Sequence, residues 1–591
     1  MKKTLQLFIF LVLTNFASAQ AIQDWTSGLP TLAYYNNHMI ASDSQGNVYS
    51  VGTYSGASTD FDSGSGVFNM SAFSNNMYIV KVNASGNFVW AKQIGGATTY
   101  AITTATSITI DASDNIYISG STNKIIGIGT LDFDPGTGLV DVVNPTSHYV
   151  MYILKLDSNG NHIWNRQFNN PTNTQYDLDK IYALQVDATG NIYATGSFNA
   201  TVDFDPSAAV YNLTSAVTGT STDIFILKMN NSGNFVWAKA LQNNSGSTSP
   251  ITDAGYSIGI DLSGNVYSTG YYTFSLDANP DAAIYTLNIN PTINGTQYIS
   301  KLDSNGNFVW AYDMLGQHNQ QFLPSIAVDG ANNIIVTGDS FSVQSTSRDF
   351  DFGSGTYNLP ADTGSFVLKI DSNAGFIWAK STARTIGVSG SSSNFSPGLV
   401  LDSLGNIYTT GTFGNNVTAD FDPSGSTFLL TSAGNYDAYI SKLDTNGNLV
   451  WANKLGGTGI EYCYSITLSP SGKIIVSGST NAGFTKSAVA VSTGGFLASF
   501  TQPALVINQF NLNNNFEVYP NPTVNELNLK VSNSLNNGNI KIISLTGQTV
   551  FEKNNLSGTD FNFDVSNLSQ GIYVLQTSDE NTSNKSKFIK Q

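Results

Sequence analysis

Six copies of one acidic phrase are the residues of this chain best suited to chemistry. They read TDFDSGSG (59–66), LDFDPGTG (131–138), VDFDPSAA (202–209), LDANPDAA (276–283), RDFDFGSG (348–355) and ADFDPSGS (419–426). Five carry two aspartates one residue apart: Asp60 and Asp62, Asp132 and Asp134, Asp203 and Asp205, Asp349 and Asp351, Asp420 and Asp422. Carboxylates at i and i+2, with Gly or Pro close behind, can present oxygens to a hard cation such as Ca²⁺. A ring of calcium sites, or an acidic docking face, is the functional expectation. The same spacing suits a turn in which aspartate caps backbone amides and the intervening Phe anchors the loop. The phrase lacks the longer run of oxygen ligands and the distal Glu of a twelve-residue calcium loop, so both readings stand.

Other chemistry has fewer candidates. His38, His148, His162 and His318 stand alone, without H-x-H or H-E-x-x-H spacing, which argues against a histidine zinc site. No G-x-S-x-G elbow occurs. The single cysteine, Cys463, falls in a mostly apolar run and reads as a small buried hydrophobe. A pair of carboxylates could hydrolyse a glycoside. Nearly all acidic residues here belong to repeated phrases, however, and no distinct catalytic pair stands out.

The elements that must hold the acidic loops repeat with them. Trp25, Trp90, Trp164, Trp237, Trp310, Trp378 and Trp451 lie 65 to 74 residues apart, six of them in phrases such as SGNFVWAK (85–92). Trp25 sits in a truncated copy. Two more phrases recur seven times. One is a strand ending in Asp, a Gly-Asn turn and a second strand, as in SITIDASDNIYISG (107–120). The other is a strand such as YILKL (152–156), which turns into the Trp strand. Apolar residues alternate at period two and Asn-Gly marks the hairpins. Each unit is therefore four antiparallel strands, and seven units predict an all-β seven-bladed β-propeller over 20–500. The last unit has no Trp strand of its own after Phe500. The Trp25 strand is expected to close it, removing two open sheet edges. The tryptophans are expected between neighbouring blades, and Asp43, Asp111, Asp187, Asp261, Asp329 and Asp402 in hairpin turns. The acidic loops, between second and third strands, should share a face with the links between blades.

The D-x-x-G-N-I-Y-x-x-G and K-L-D-S-N-G-N-x-x-W phrases resemble the bacterial SBBP-type propeller repeats, a likeness that implies the fold and is nearly silent on activity. A linker at 501–515 leads to residues 516–591. These contain Tyr519-Pro520-Asn521-Pro522, Leu545-Thr546-Gly547-Gln548, Leu568-Ser569, Gly571-Ile572-Tyr573-Val574 and a Lys-rich last strand. This segment closely resembles the type A C-terminal sorting domain of the Bacteroidetes type IX secretion system. The resemblance implies that residues 516–591 engage that machinery, that the protein crosses the outer membrane, and that the domain is then removed. Attachment to surface lipopolysaccharide or release would follow. Turn residues divide the segment into about seven short strands, which suits a small Ig-like β-sandwich.

Composition narrows the function. The chain has 591 residues and a net charge of −16, with only 11% charged residues. That balance argues against nucleic acid as a partner, because phosphate binding needs clustered Lys and Arg. Residues 1–19 read as a signal peptide: Lys2 and Lys3, an apolar stretch from Leu5 to Leu13, then Ala17-Ser18-Ala19. No later stretch reaches the roughly 18 apolar residues that span a bilayer. The expectation is a monomer without a transmembrane segment, exported to the periplasm and then secreted or held on the outer-membrane surface. It would bind an extracellular glycan or protein, with calcium as the one candidate cofactor. The alternative is an extracellular polysaccharide hydrolase or lyase acting at the propeller axis.

Overall fold

In the phrase SITIDASDNIYISG the aspartate ends one strand and the next starts five residues later. Ala101–Ile110 pairs antiparallel with Ile116–Lys124. Between them the Asp111 N–H bonds the Asn115 carbonyl at 3.0 Å and the Asp114 N–H bonds the Asp111 carbonyl at 2.9 Å. The residue at the Asp114 position must take a positive φ. Asp114 does so at 63°, and other copies place Gly46, Gly190, Gly264, Gly405 and Gly472 there. Local turn chemistry thus sets each hairpin, and alternation of apolar side chains sets which face is buried.

The computed structural model describes residues 21–29, 39–96, 101–124, 131–141, 149–170, 179–216, 221–244, 252–288, 295–314, 324–339, 348–359, 364–385, 395–414, 416–486, 489–502, 516–544, 549–578 and 583–590. All regular elements among them are strands. Up to Gln502 they build seven antiparallel sheets with four main strands each; short loop strands extend two of these to five and six strands and otherwise form small two- and three-stranded sheets. Six run in chain order, over 39–96, 101–168, 180–243, 254–314, 325–382 and 395–455. The seventh holds Glu461–Leu468, Ile474–Thr480 and Gly494–Thr501, and its fourth strand is the N-terminal Ile22–Leu29. That strand pairs antiparallel with Gly494–Thr501, placing Trp25 opposite Ser499. Asn453 of the sixth sheet also donates to the Ala21 carbonyl at 2.7 Å.

The first strand of each sheet packs on the first strand of the next, and that of the seventh packs on that of the first. The cores follow the same circuit. Tyr49, Ile79 and Ile94 of the first sheet share a cluster with Ile116, Leu154 and Leu156 of the second. Ile475 and Leu497 of the seventh share one with Val48, Tyr78 and Val80 of the first. Each fully buried aliphatic or aromatic side chain contributes about 1.5–3 kcal/mol, so every sheet-to-sheet junction carries part of the stability.

Residues 503–591 form a separate compact unit. Glu526–Ser544 is its central strand. The strand pairs with Phe516–Tyr519 through its first half, with Gly571–Ser578 through its second, and with Thr549–Asp564 along its length. Ser583–Lys590 extends the sheet. Among the described residues five strands stand where the turn residues suggest about seven, because the two long ones continue through register shifts, such as that between Lys530 and Leu535, without ending. The core is Leu527, Leu529, Ile540, Ile542, Leu575 and Phe588. Asn521 fastens the last strand: its Oδ1 accepts the Ile589 N–H at 2.9 Å and its Nδ2 donates to the Lys587 carbonyl at 3.1 Å. The Leu545-Thr546-Gly547-Gln548 turn and the N-terminal leader lie outside the described residues. Among those residues no helix is long and apolar enough to cross a membrane.

Candidate functional site

Each acidic loop closes on itself in one way. Asp60 Oδ1 accepts the N–H of Asp62 at 3.0 Å and of Phe68 at 2.8 Å, and Asp62 Oδ1 accepts the N–H of Gly64 at 2.8 Å. Asp132 and Asp134 repeat this with Val140 and Gly136. Asp203 and Asp205 do so with Tyr211 and Ser207, and Asp349 and Asp351 with Tyr357 and Gly353. Asp420 and Asp422 do so with Phe428 and Ser424. The residue between the two acids is buried in every copy: Phe61, Phe133, Phe204, Phe350, Phe421, and Ala278 in the fourth. That fourth copy is informative. Asn279 stands where the others have their second aspartate, and its Oδ1 accepts the Asp281 N–H at 3.0 Å. An amide oxygen fills the place of a carboxylate, so the turn needs an acceptor there and not a charge.

The loops also join sheets. Asp132 pairs with Gly95 and Asp277 with Gln242, each at the end of the preceding sheet's Trp strand, and Asp420 pairs with Arg384 just beyond such an end. The Asp203 N–H reaches the Asn169 carbonyl at 3.1 Å. The loops therefore share a face with the links between sheets. Arg384 adds an ion pair to Asp420 at 2.7 Å. Beyond the turn, each loop doubles back over its own sheet. Tyr211 packs on Phe235, Tyr285 on Phe308 and Tyr357 on Phe376, with ring centroids 4.7–4.9 Å apart. The Tyr211 and Tyr357 hydroxyls donate to the carbonyls of Ala238 and Ala379, both at 3.2 Å. The loops thereby cover the outer edge of the Trp strands, where unpaired backbone groups would otherwise recruit another chain.

The geometry brings the two aspartates of each phrase together but does not bring different phrases together. Their first oxygens are committed to backbone amides. The second oxygens are what each pair can offer a cation, Asp420 Oδ2 being held by Arg384 as well. Among the described residues no group of three or more His, Cys, Asp or Glu side chains converges as a metal site. Calcium usually takes six to eight oxygens. A cation here would draw most of its ligands from backbone carbonyls and water.

A second repeated constellation lies at the opposite ends of the strands. Asp43 accepts from Asn47 Nδ2 at 2.7 Å and from the Tyr49 hydroxyl at 3.0 Å, and Lys81 Nζ stands 4.7 Å above the Tyr49 ring. Asp111, Asp187, Asp261 and Asp402 repeat this with Tyr117, Tyr193, Tyr267 and Tyr408. Asp329 has Ile335 in place of the tyrosine and holds Lys369 at 2.9 Å. Burial opposes ionisation of Asp43. The bonds from Asn47 and Tyr49 and the charge of Lys81 outweigh it and hold the carboxyl below its ordinary value. The lysines and tryptophans then reach the next sheet: Lys228 Nζ and Trp237 Nε1 both donate to the Ser304 carbonyl, at 3.0 and 3.3 Å. Lys301 and Trp310 do so to Ser372. The tryptophans thus sit between neighbouring sheets, as their spacing predicts.

The seventh unit departs from the constellation. It carries Ser469, Ile475 and Ser499 where the others carry aspartate, mostly tyrosine, and lysine. No Trp hairpin follows it, and the Gln502 side chain takes over, accepting from Lys442 at 2.7 Å and Tyr408 at 2.8 Å.

Further carboxyls are buried near the ends of the strands, and one arrangement recurs: Asn170 Nδ2 donates to Asp179 at 2.8 Å as Asn243 Nδ2 donates to Asp253 at 3.1 Å. Burial pushes Asp223 up to about 6 and Asp253 to about 8, and Asn243 bridges them. Both are at most 1% exposed, so neither can touch a substrate. Cys463 is buried, and burial pushes its thiol up to about 12, which leaves it an inert core group. His162 lies 3.3 Å from Asn165 Oδ1; the other three histidines lie outside the described residues.

Residues 517–591 match the family model described as a secretion system C-terminal sorting domain, and residues 89–127 match one described as a β-propeller repeat. An uncharacterised WD repeat-containing protein of Acanthamoeba polyphaga mimivirus is 26% identical over 526 residues, covering 77% of this chain and 36% of that protein. The chain therefore spans about a third of the length of that relative. A solved protein of unknown function from Dyadobacter fermentans aligns over 72% of this chain and 99% of its own, with 9% identity and a TM-score of 0.33. Another from Bacteroides thetaiotaomicron aligns over 80% of this chain and 100% of its own, with 12% identity and a TM-score of 0.26. The protein combines an SBBP β-propeller repeat with a type IX secretion system C-terminal sorting domain.

Proposed function

We propose that residues 20–500 form a closed seven-bladed β-propeller that acts outside the cell as a binding scaffold, delivered there by residues 516–591. The observation that carries this reading is the sorting domain at the end of a run of seven matched four-stranded sheets. Their circuit of first-strand contacts and the pairing of Ile22–Leu29 with the seventh sheet support closure. The repeated charged groups are spent on turns, joints and edge cover, which makes a rigid frame with variable surface loops, the usual arrangement for recognition. In this reading residues 1–19 deliver the chain to the periplasm, and 516–591, as a small Ig-like sandwich, hand it to the type IX machinery.

The test is fractionation of producing cells, with protease added to intact cells. The full chain is expected at the surface or in the medium. A chain lacking 516–591 is expected in the periplasm, protected from protease. Surface display of the truncated chain would overturn the reading.

A further inference from the structure

The joint between the sixth and seventh sheets buries two carboxyls together, with a lysine beside them. Asp437 opens the strand Tyr436–Leu443, Lys454 lies near the end of its neighbour Leu449–Leu455, and Glu461 starts the seventh sheet. A parallel bridge between Tyr436 and Ile460 draws the two acids together, and both are 0% exposed. Lys454 Nζ stands 3.2 Å from Asp437 Oδ2 and donates to the Thr431 carbonyl at 3.0 Å. The Ala433 N–H donates to the same Oδ2 at 2.8 Å. Glu461 Oε2 accepts the Gly457 N–H at 2.9 Å, and Oε1 accepts the Thr480 hydroxyl at 2.8 Å.

That leaves Asp437 Oδ1. Among the described residues no N–H or hydroxyl donates to it. A Cβ at Gly456 would stand 2.5 Å from Asp437 Oδ1 and 2.6 Å from Glu461 Oε2, so the two oxygens converge on one point. Burial and the adjacent Asp437 push Glu461 above its ordinary value, against the bonds from Gly457 and Thr480. Glu461 therefore keeps its proton and offers it to Asp437. The set is particular to this joint. Lys454 pairs opposite Tyr439, and the residues in that register elsewhere are Gln93, Gln167, Ala240, Asp313 and Ser381.

We propose that Lys454 and Asp437 condense to an intramolecular amide, with Glu461 as the proton shuttle. The amine and the acid already sit on the two oxygens of one carboxyl, which is the positioning such a step needs. Lys454 passes one proton to Asp437, and the freed lone pair forms the Nζ–Cγ bond. The Cγ–Oδ1 bond breaks, and Oδ1 leaves as water with that proton and the one from Glu461. A second ammonium proton restores Glu461. Oδ2 stays as the amide oxygen, held by the Ala433 N–H. Atoms and charge balance without a co-reactant. The Lys454 side chain is 26% exposed, which gives the water a way out. The product ties neighbouring strands of the sixth sheet together, in a chain whose single cysteine allows no internal disulfide.

The experiment reads mass on the purified full chain and on its tryptic peptides. Wild type is expected to lack one water. The peptide ending at Lys442 should stay joined to the one starting at Leu443, with the bond after Lys454 uncut. Lys454→Arg keeps the charge without the primary amine, and should show full mass and separate peptides. Glu461→Gln keeps the shape without the acid, and should leave the chain unlinked. Lys454→Arg carries the test if Glu461→Gln does not fold. Full mass in folded wild type, or a loss of water that persists in Lys454→Arg, would overturn the amide. A link that forms unchanged in Glu461→Gln would overturn the shuttle.

Discussion

Gly306 answers two demands at one position. Its φ of +83° is the left-handed conformation the hairpin needs, and a Cβ there would stand 3.0 Å from the Trp237 ring of the preceding sheet. Gly160, Gly233 and Gly447 face their tryptophans in the same way. The fifth hairpin has Ala374 at φ 67°, so a methyl can be accommodated at a cost. Gly306→Ala should fold and be less stable by about 1–2 kcal/mol, the penalty of an L-residue in that region. The denaturant midpoint reads this directly, and an unchanged midpoint would show that the turn is not under that constraint. The same residue-scale logic separates turn from ligand in the acidic loops. Asn279 replaces an aspartate without changing the bond it makes, whereas a calcium ligand set would weaken with each lost charge.

At the scale of elements, the acidic loop is a clasp. Its first arm pairs with the end of the previous Trp strand, and its return arm covers the Trp strand of its own sheet. Because the first oxygens of Asp60, Asp132, Asp203, Asp349 and Asp420 already hold two amides each, removing calcium with a chelator should leave the melting temperature unchanged within about 1 °C. A rise on adding calcium would assign the second oxygens a metal. Much of this was legible in the sequence. The Asp-Asn-Tyr phrase and the period-two alternation predict the hairpins, and the truncated Trp25 copy predicts which strand completes the seventh sheet. The pairing of Gly95 with Asp132 was not legible. It joins two different repeats, and neither segment carries a pattern that names its partner. The departure of the seventh unit was readable in principle, since Ser469, Ile475 and Ser499 stand out once the copies are aligned. The signal is the absence of repeat residues rather than the presence of a motif, so a search for catalytic clusters passes over it. Asp223 and Asp253 escaped for another reason: each lies at the edge of a strand phrase, and only folding buries them beside the same Asn243.

At the scale of the molecule, the circuit of sheets depends on residues at opposite ends of the repeat region. Ile22–Leu29 covers Gly494–Thr501, Leu29 joins the core that links the seventh sheet to the first, and Asp24 binds Thr501 Oγ1 at 2.8 Å. The chain leaves this region at the linker, and the sorting domain holds its own core. The pairing of Ile22–Leu29 with Gly494–Thr501 therefore concerns the repeats alone. Without the N-terminal strand the seventh sheet would expose the edge of Gly494–Thr501, and the junction with the first sheet would lose Trp25 and Leu29. The most direct test is thermal unfolding of the mature chain with and without Ile22–Leu29. The account predicts that the shortened chain melts at a clearly lower temperature, with loss of cooperativity across the repeat region. A shortened chain that melts with the intact one would contradict closure of the seven sheets by their N-terminal strand.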